Sequence, residues 1–207
     1  MRNRIIDLRC EQKNPPEARQ KFKLYKGKVL VRSPFDIDGI VIHQTNCVFG
    51  PKRGFKDPEE GRHYRALGVA CHALALSCGH AVIPNPLEWY IYHGNKLNSR
   101  SLGLEIEGIY SPQGTDDELS PNIIAAAVAA LDFLVEEGGK LGMKIRYIWA
   151  HRQSSRDRRG DPGGSIWKEI VLGYAVPQLG LKTEPDLVVG DGRPIPVEWD
   201  PNGKGHI

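Results

Sequence analysis

The heptapeptide Gly39-Ile40-Val41-Ile42-His43-Gln44-Thr45 decides how this chain folds. Its three consecutive β-branched residues are apolar at both parities, the pattern of a strand buried on both faces. Such strands belong to largely parallel sheets covered by helices. His43 stands at the C-terminal end of that run. In open α/β sheets ligands bind beyond the carboxyl ends of the strands, so an imidazole there marks the edge where chemistry is expected. A second strand candidate, IRYIWA at 145–150, ends on His151. If these two strands are neighbours, the two imidazoles converge.

The rest of the chain supports an α/β reading. Lys28 to Arg32 (KVLVR) predicts a strand. Residues 46 to 61 hold Gly50, Pro51, Gly54, Pro58 and Gly61 and predict a loop, followed by a short helix around Glu59 to Leu67. Ala70 to Ser77 and His80 to Pro84 predict two strands about a turn at Cys78-Gly79. SLGLEIEGI at 101–109 alternates, placing Leu102, Leu104 and Ile106 on one face and Gly103, Glu105 and Glu107 on the other. Ser120 is a helix N-cap, Pro121 suits the first helical position, and Gly138-Gly139 supply a stop. A last helix is expected from Ser165 to about Tyr174. After Pro177, the prolines at 185, 194, 196 and 201 predict an extended arm.

Composition excludes several classes. A length of 207 residues suits one domain with a full core. The net charge of +3 is too small to argue for a nucleic-acid partner. The longest apolar run, Ile123 to Leu131, is far short of a membrane span. The N-terminus lacks an apolar core segment, so no secretory signal is expected and synthesis in the cytoplasm is. The cysteines, Cys10, Cys47, Cys71 and Cys78, form no C-x-x-C pair, which argues against a thiolate zinc cluster or redox motif and for free thiols. H-E-x-x-H, G-x-S-x-G and Walker A motifs are absent. Val189-Gly190-Asp191-Gly192 reads as a turn.

The segment HRQSSRDRRGDPG at 151–163 places an Asp ten residues after a His. His43, His151 and Asp161 together would make a zinc site with three protein ligands and one open position, the arrangement of catalytic zinc. The other histidines, His63, His72, His80, His93 and His206, carry no such signal individually.

GIVIHQT, HGNKLNSRSLGLEIEG and WAHRQSSRDRRGDPGG resemble, in order, the three signature blocks of the type 2 N-acetylmuramoyl-L-alanine amidases, the zinc amidase family that includes the peptidoglycan recognition proteins. The resemblance covers about residues 36 to 176. It implies Zn2+ as cofactor, with His43, His151 and Asp161 as ligands. Glu105 matches the general base of some bacterial members. Where phage-type members have a Tyr on the hairpin strand, this chain has Cys71. Where the family usually has Lys two residues before the Asp ligand, this chain has Arg159, a cation suited to stabilising an oxyanion. Arg158 and Arg159 as a solvated rim is the alternative. His93 and Asn98 match groove-lining positions, and Arg152 and Arg156 add positive charge for stem-peptide carboxylates.

The expected architecture is therefore a single α/β domain: a central mixed β-sheet flanked by helices, with the zinc site at the sheet edge. Residues 1–35 are expected to pack on the core as an extension, 36–176 to form the amidase-like catalytic domain, and 177–207 to form an extended tail. The expected activity is zinc-dependent hydrolysis of the lactyl–L-Ala amide of peptidoglycan; a phage endolysin that reaches the wall after release is the setting that fits best, and a cytoplasmic recycling amidase or a secreted antibacterial effector also fits. The expected partner is the muropeptide substrate, without nucleic acid or membrane. Nothing in the sequence fixes the oligomeric state, and a monomer is favoured. Two other readings stay open: a binding module of the same fold, and a cysteine amidase using Cys47 or Cys71.

Overall fold

The computed structural model describes residues 4–110 and 118–203. Six strands form the central sheet: β1 (Ile5–Asp7), β4 (Gly39–Gln44), β5 (Ala73–Ala75), β6 (Ala81–Ile83), β7 (Ser101–Ile106) and β8 (Tyr147–Ala150), in spatial order β1-β6-β5-β7-β4-β8. All neighbours are parallel except the β5–β6 hairpin, so the sheet is mixed. Strand β4 lies between β7 and β8, which brings the carboxyl ends carrying His43, Glu105 and His151 side by side.

Both faces are covered, as the continuous apolar reading of β4 requires. Ile40, Ile42, Leu102, Leu104 and Ile106 meet helix α2 (Pro121–Lys140) and the C-terminal helix in one core. On the other face Cys71, Leu74, Leu76 and Val82 pack with Ala66, Tyr64 and Leu67 around α1 (Pro58–Arg65), and Val41 packs with Leu97 and Trp149. Gly39 is needed there, because a Cβ would lie 2.1 Å from the Trp149 ring.

Several boundaries differ from the expected ones. The Ser120 side chain does cap α2, accepting from the N–H of Ile123. The helix runs through Gly138-Gly139 to Lys140, because Lys140 pairs with Glu136 and Glu137 one turn earlier and buried Gly138 gives room to Met143. Gly142, at φ +94°, turns the chain instead. Of KVLVR only Lys28–Val29 (β3) is strand, paired with Leu24–Tyr25 (β2) about Lys26-Gly27, both at positive φ. The C-terminal helix starts with α3 (Gly164–Ile166), continues as a π-helix over Trp167–Ala175 and ends with α4 (Val176–Leu179).

Residues 180–203 are mostly irregular but lie against the domain. Trp199 is fully buried beside Trp167, and Arg152 stacks on its ring. Glu184 accepts from Trp149 Nε1, and the Gln153 amide donates to the Glu184 carbonyl. This segment therefore clamps the turn that follows β8, the turn on which His151 sits.

Glu107, just past β7, is a structural carboxylate. It accepts from Phe49 N at 2.6 Å, Ser77 N at 2.7 Å and Arg62 Nη2 at 2.8 Å. Burial works against its ionisation, but the bonds from Ser77 and Phe49 and the Arg62 charge outweigh it and lower its pKa. Glu107→Ala should cost about 3 kcal/mol, since three donors lose a charged acceptor. Urea unfolding at neutral pH checks this. A depressed carboxylate pKa stabilises above the unfolded value and is lost as pH falls through the folded one, so the difference from wild type should shrink in acid.

Candidate metal centre and active-site cleft

His43 ends β4, His151 begins the turn after β8, and Asp161 lies ten residues further on, held near by backbone bonding of Arg152 N to its carbonyl. All three are buried. His43 Nδ1 and His151 Nδ1 are 2.9 Å apart, His151 Nδ1 and Asp161 Oδ2 3.1 Å, and His43 Nδ1 and Asp161 Oδ2 3.8 Å. Three ligands about 2.0–2.1 Å from a tetrahedral metal lie about 3.3 Å from one another. The triangle has that size.

The outer bonds fix the ring orientations. His93 Nε2 lies 3.3 Å from the Ser101 carbonyl, which can only accept, so that nitrogen carries the proton. Burial, then the nearby His43, keeps His93 neutral by pushing its pKa well down, so its Nδ1 is an acceptor. His43 Nε2, 3.3 Å from that Nδ1, must donate. Burial and the neighbouring His151 lower the His43 pKa to about 4, so His43 is neutral and its Nδ1 lone pair points at the centre. His151 Nε2 donates to Asn95 Oδ1 at 2.9 Å, leaving its Nδ1 for the same point. Two lone pairs and a carboxylate oxygen aimed at one spot repel unless a cation joins them. A proton answers one edge of the triangle; a divalent metal answers all three.

Asp161 fits the same account. Burial opposes its charge, but the closeness of the His151 and His43 rings outweighs it and holds its carboxyl well below the ordinary range. Its other oxygen accepts from Gln44 N at 2.9 Å.

Glu105 is the register partner of His43 on the adjacent parallel strand, so the two side chains share a face. Its Oε2 is buried without a hydrogen-bond partner. Burial, then the Asp161 charge, raise its pKa well above the ordinary value. An unpartnered carboxylate of raised pKa in a cleft is poised for proton transfer. The cleft, of about 740 Å³, is lined by His93, Asn95, Glu105, His151, Arg158 and Asp161 among others.

Three of the expected side chains are placed differently. Both Arg158 and Arg159 are exposed, but Arg158 rather than Arg159 lines the cleft, and its charge acts on His43 and Glu105. The turn Arg156–Arg158 sets that choice, which spacing alone leaves open. Arg156 is exposed, 3.9 Å from Asp157 and 3.7 Å from Asp191. Asn98 is buried with its Oδ1 accepting from His93 N and Gly94 N, so it shapes the loop rather than meeting substrate. His93 orients His43. Asn95, which sequence reasoning missed, orients His151; the Gly94-Asn95 pair, with Asn95 at φ +52°, is the turn signal that could have marked it. Cys71 is fully buried, and burial, then the Glu105 charge, push its thiol well up, so it offers no nucleophile. Exposed Cys47 lines the cleft. His206 lies outside the described residues.

The family model for N-acetylmuramoyl-L-alanine amidase matches residues 33–164, more than half of the chain. The chain belongs to this amidase family. No curated protein matches it. Among solved structures, the endolysin N-acetylmuramoyl-L-alanine amidase LysCS from Clostridium intestinale has the same fold, at 16% identity and a TM-score of 0.51, over 86% of this chain and 96% of that one. Bumblebee peptidoglycan recognition protein SA matches at 14% identity and a TM-score of 0.53, over 81% and 93%. The ectodomain complex of peptidoglycan recognition proteins LCa and LCx, bound to tracheal cytotoxin, matches at 17% and 0.50, over 78% and 90%.

The position of the His43 ring depends on close packing behind it. A Cβ on Gly103 would lie 2.7 Å from His93 Cγ. Gly103→Ala should displace His93, and His93→Ala should remove it. Both are expected to weaken divalent-metal binding at the triangle, measured with zinc, about 10–100-fold, the usual effect of losing a group that orients a ligand. Competition with a chromophoric chelator measures this.

Proposed function

We propose that this protein is a zinc-dependent N-acetylmuramoyl-L-alanine amidase that cleaves the amide between the muramic acid lactyl group and L-alanine. The convergence of His43 Nδ1, His151 Nδ1 and Asp161 Oδ2 beside the unpartnered Glu105 carboxylate carries this reading. Zinc held by those three ligands would supply Lewis acidity, polarising the scissile carbonyl and the attacking water. Glu105 takes the proton of that water and delivers it to the leaving amine. Arg158 lines the cleft, and its guanidinium stabilises the oxyanion of the tetrahedral species there. Lys21 and Arg65 also line the cleft and suit the carboxylates of a stem peptide. We place the activity in wall degradation of the endolysin kind, a setting that the fold shared with LysCS supports. Among the described residues no helix is long and apolar enough to cross a membrane.

Arg158→Ala should lower kcat about 10²–10³-fold and leave zinc affinity unchanged, if the guanidinium meets the oxyanion directly. Arg159→Ala should behave as wild type. Steady-state kinetics on a soluble muropeptide separate the two, and the opposite ranking would move the role to Arg159.

Hydrolysis of that muropeptide tests the proposal itself. Chelation should abolish it, zinc should restore it, and Cys47→Ser should retain it. Turnover that survives chelation and fails in Cys47→Ser would favour cysteine chemistry. Zinc bound with no turnover would favour a binding module, the role that the name of the recognition proteins describes.

A further inference from the structure

A second group of metal-competent side chains lies apart from the cleft. Glu59 and His63 stand one turn apart on α1, and Cys78 and His80 flank Gly79 in the β5–β6 turn, where Gly79 takes φ +96°. One donor atom from each of the four lies within 4.8 Å of all the others. His80 Nδ1 is 2.9 Å from Glu59 Oε1, 3.2 Å from His63 Nε2 and 3.7 Å from Cys78 Sγ, and His63 Nε2 is 3.9 Å from Glu59 Oε1.

We propose that Glu59, His63, Cys78 and His80 form a second zinc site that clamps α1 to the β5–β6 hairpin. Three arguments carry it. First, tetrahedral zinc puts nitrogen and oxygen ligands about 3.3 Å apart and nitrogen and thiolate sulfur about 3.5 Å apart; the nitrogen and oxygen spacings bracket the first value, and the 3.7 Å between His80 Nδ1 and Cys78 Sγ is close to the second. Second, His80 Nδ1 has either one proton or one lone pair, yet three polar atoms crowd it; hydrogen bonding answers one of them, a shared cation all. Third, a thiolate and a carboxylate with two neutral imidazoles balance a divalent charge, and this nitrogen, sulfur and oxygen set suits zinc. Arg62, between Glu59 and His63 on α1, turns its Nη2 to Ser77 and Glu107, though its charge still reaches His63.

Four protein ligands close the coordination sphere, which makes the site structural rather than catalytic. Glu59 and His80 are partly exposed, so the metal reaches it from solvent. Its consequence for the cleft is mechanical. Arg65, Gly68 and Val69, at the end of α1 and just beyond, line the cleft, so fixing α1 to the hairpin fixes one of its walls. The four ligands share no residue with the His43 centre.

Metal counting and cobalt substitution on the full chain test this. The wild type should hold two zinc ions, and Cys78→Ser, His80→Gln and His43→Ala one each. Cobalt(II) in place of zinc should give a near-ultraviolet thiolate-to-metal band, because only the second group contains sulfur. That band should persist in His43→Ala and vanish in Cys78→Ser, so it reports this site whether or not the His43 centre binds metal. Zinc should also raise the Tm of His43→Ala more than that of the His43→Ala, Cys78→Ser double variant. Absence of the band in folded wild-type protein, or a metal count unchanged by both Cys78→Ser and His80→Gln, would overturn the proposal.

Discussion

Asp161→Ala should give a folded protein that retains less than a tenth of the zinc affinity of the His43 centre and hydrolyses no muropeptide. The effect is large because Asp161 is the only anionic member of the triangle and because its second oxygen holds Gln44 N, so its loss also loosens the end of β4. Zinc titration followed by turnover at saturating zinc checks both halves. A variant that bound zinc as wild type does would remove Asp161 from the ligand set. Asp161→Asn is the gentler form. It keeps the bond from Gln44 N but offers the metal a neutral oxygen, and activity should still fall steeply.

Glu105→Gln should reduce kcat about 10²–10⁴-fold, the usual range for a general base, with zinc content unchanged. The pH profile gives a second readout. The base works deprotonated, so activity falls as pH drops through its pKa. In the metal-free protein burial, then the Asp161 charge, raise that pKa, and the positive charge of a bound metal would lower it again. The limb should disappear from the residual activity of Glu105→Gln. The same raised pKa has a cost in the metal-free protein. The native state holds this proton to higher pH than the unfolded chain does, so stability falls as pH rises through that interval. Metal-free Glu105→Gln should therefore be more stable than wild type at neutral pH. A variant both inactive and less stable would point to a structural role for Glu105.

The sheet edge and the meeting of His43 with His151 were legible because strand patterning has a fixed period. Three β-branched residues ending on His43, and IRYIWA ending on His151, place both imidazoles at carboxyl ends without any knowledge of loops. The alternation of β7 put Glu105 and Glu107 on the same face, and only the family resemblance favoured Glu105. Only the folded chain shows Glu107 spent on Phe49, Ser77 and Arg62. Irregular segments were less readable. Whether Arg158 or Arg159 faces the cleft depends on one short turn. The inward direction of His93 and Asn98 depends on a loop also held by Arg32, which donates to the carbonyls of Leu87, Asn98 and Ser101. The segment beyond Pro177 read as an arm because its prolines forbid regular structure, but buried Trp199 and the Glu184–Trp149 bond dock it. The absence of C-x-x-C argued against thiolate zinc, yet a helix turn and a hairpin turn assemble a mixed set from residues 59, 63, 78 and 80. No linear spacing rule describes a site built across two elements.

The central claim is tested most directly by digesting purified peptidoglycan sacculi with the zinc-loaded protein and identifying the new ends by mass spectrometry. The account predicts peptides with free L-alanine amino termini and glycan strands with intact muramic acid lactyl carboxylates, and neither product with Asp161→Ala. New reducing sugar ends, cuts within the stem peptide, or sacculi left intact by the zinc-loaded wild type would contradict it.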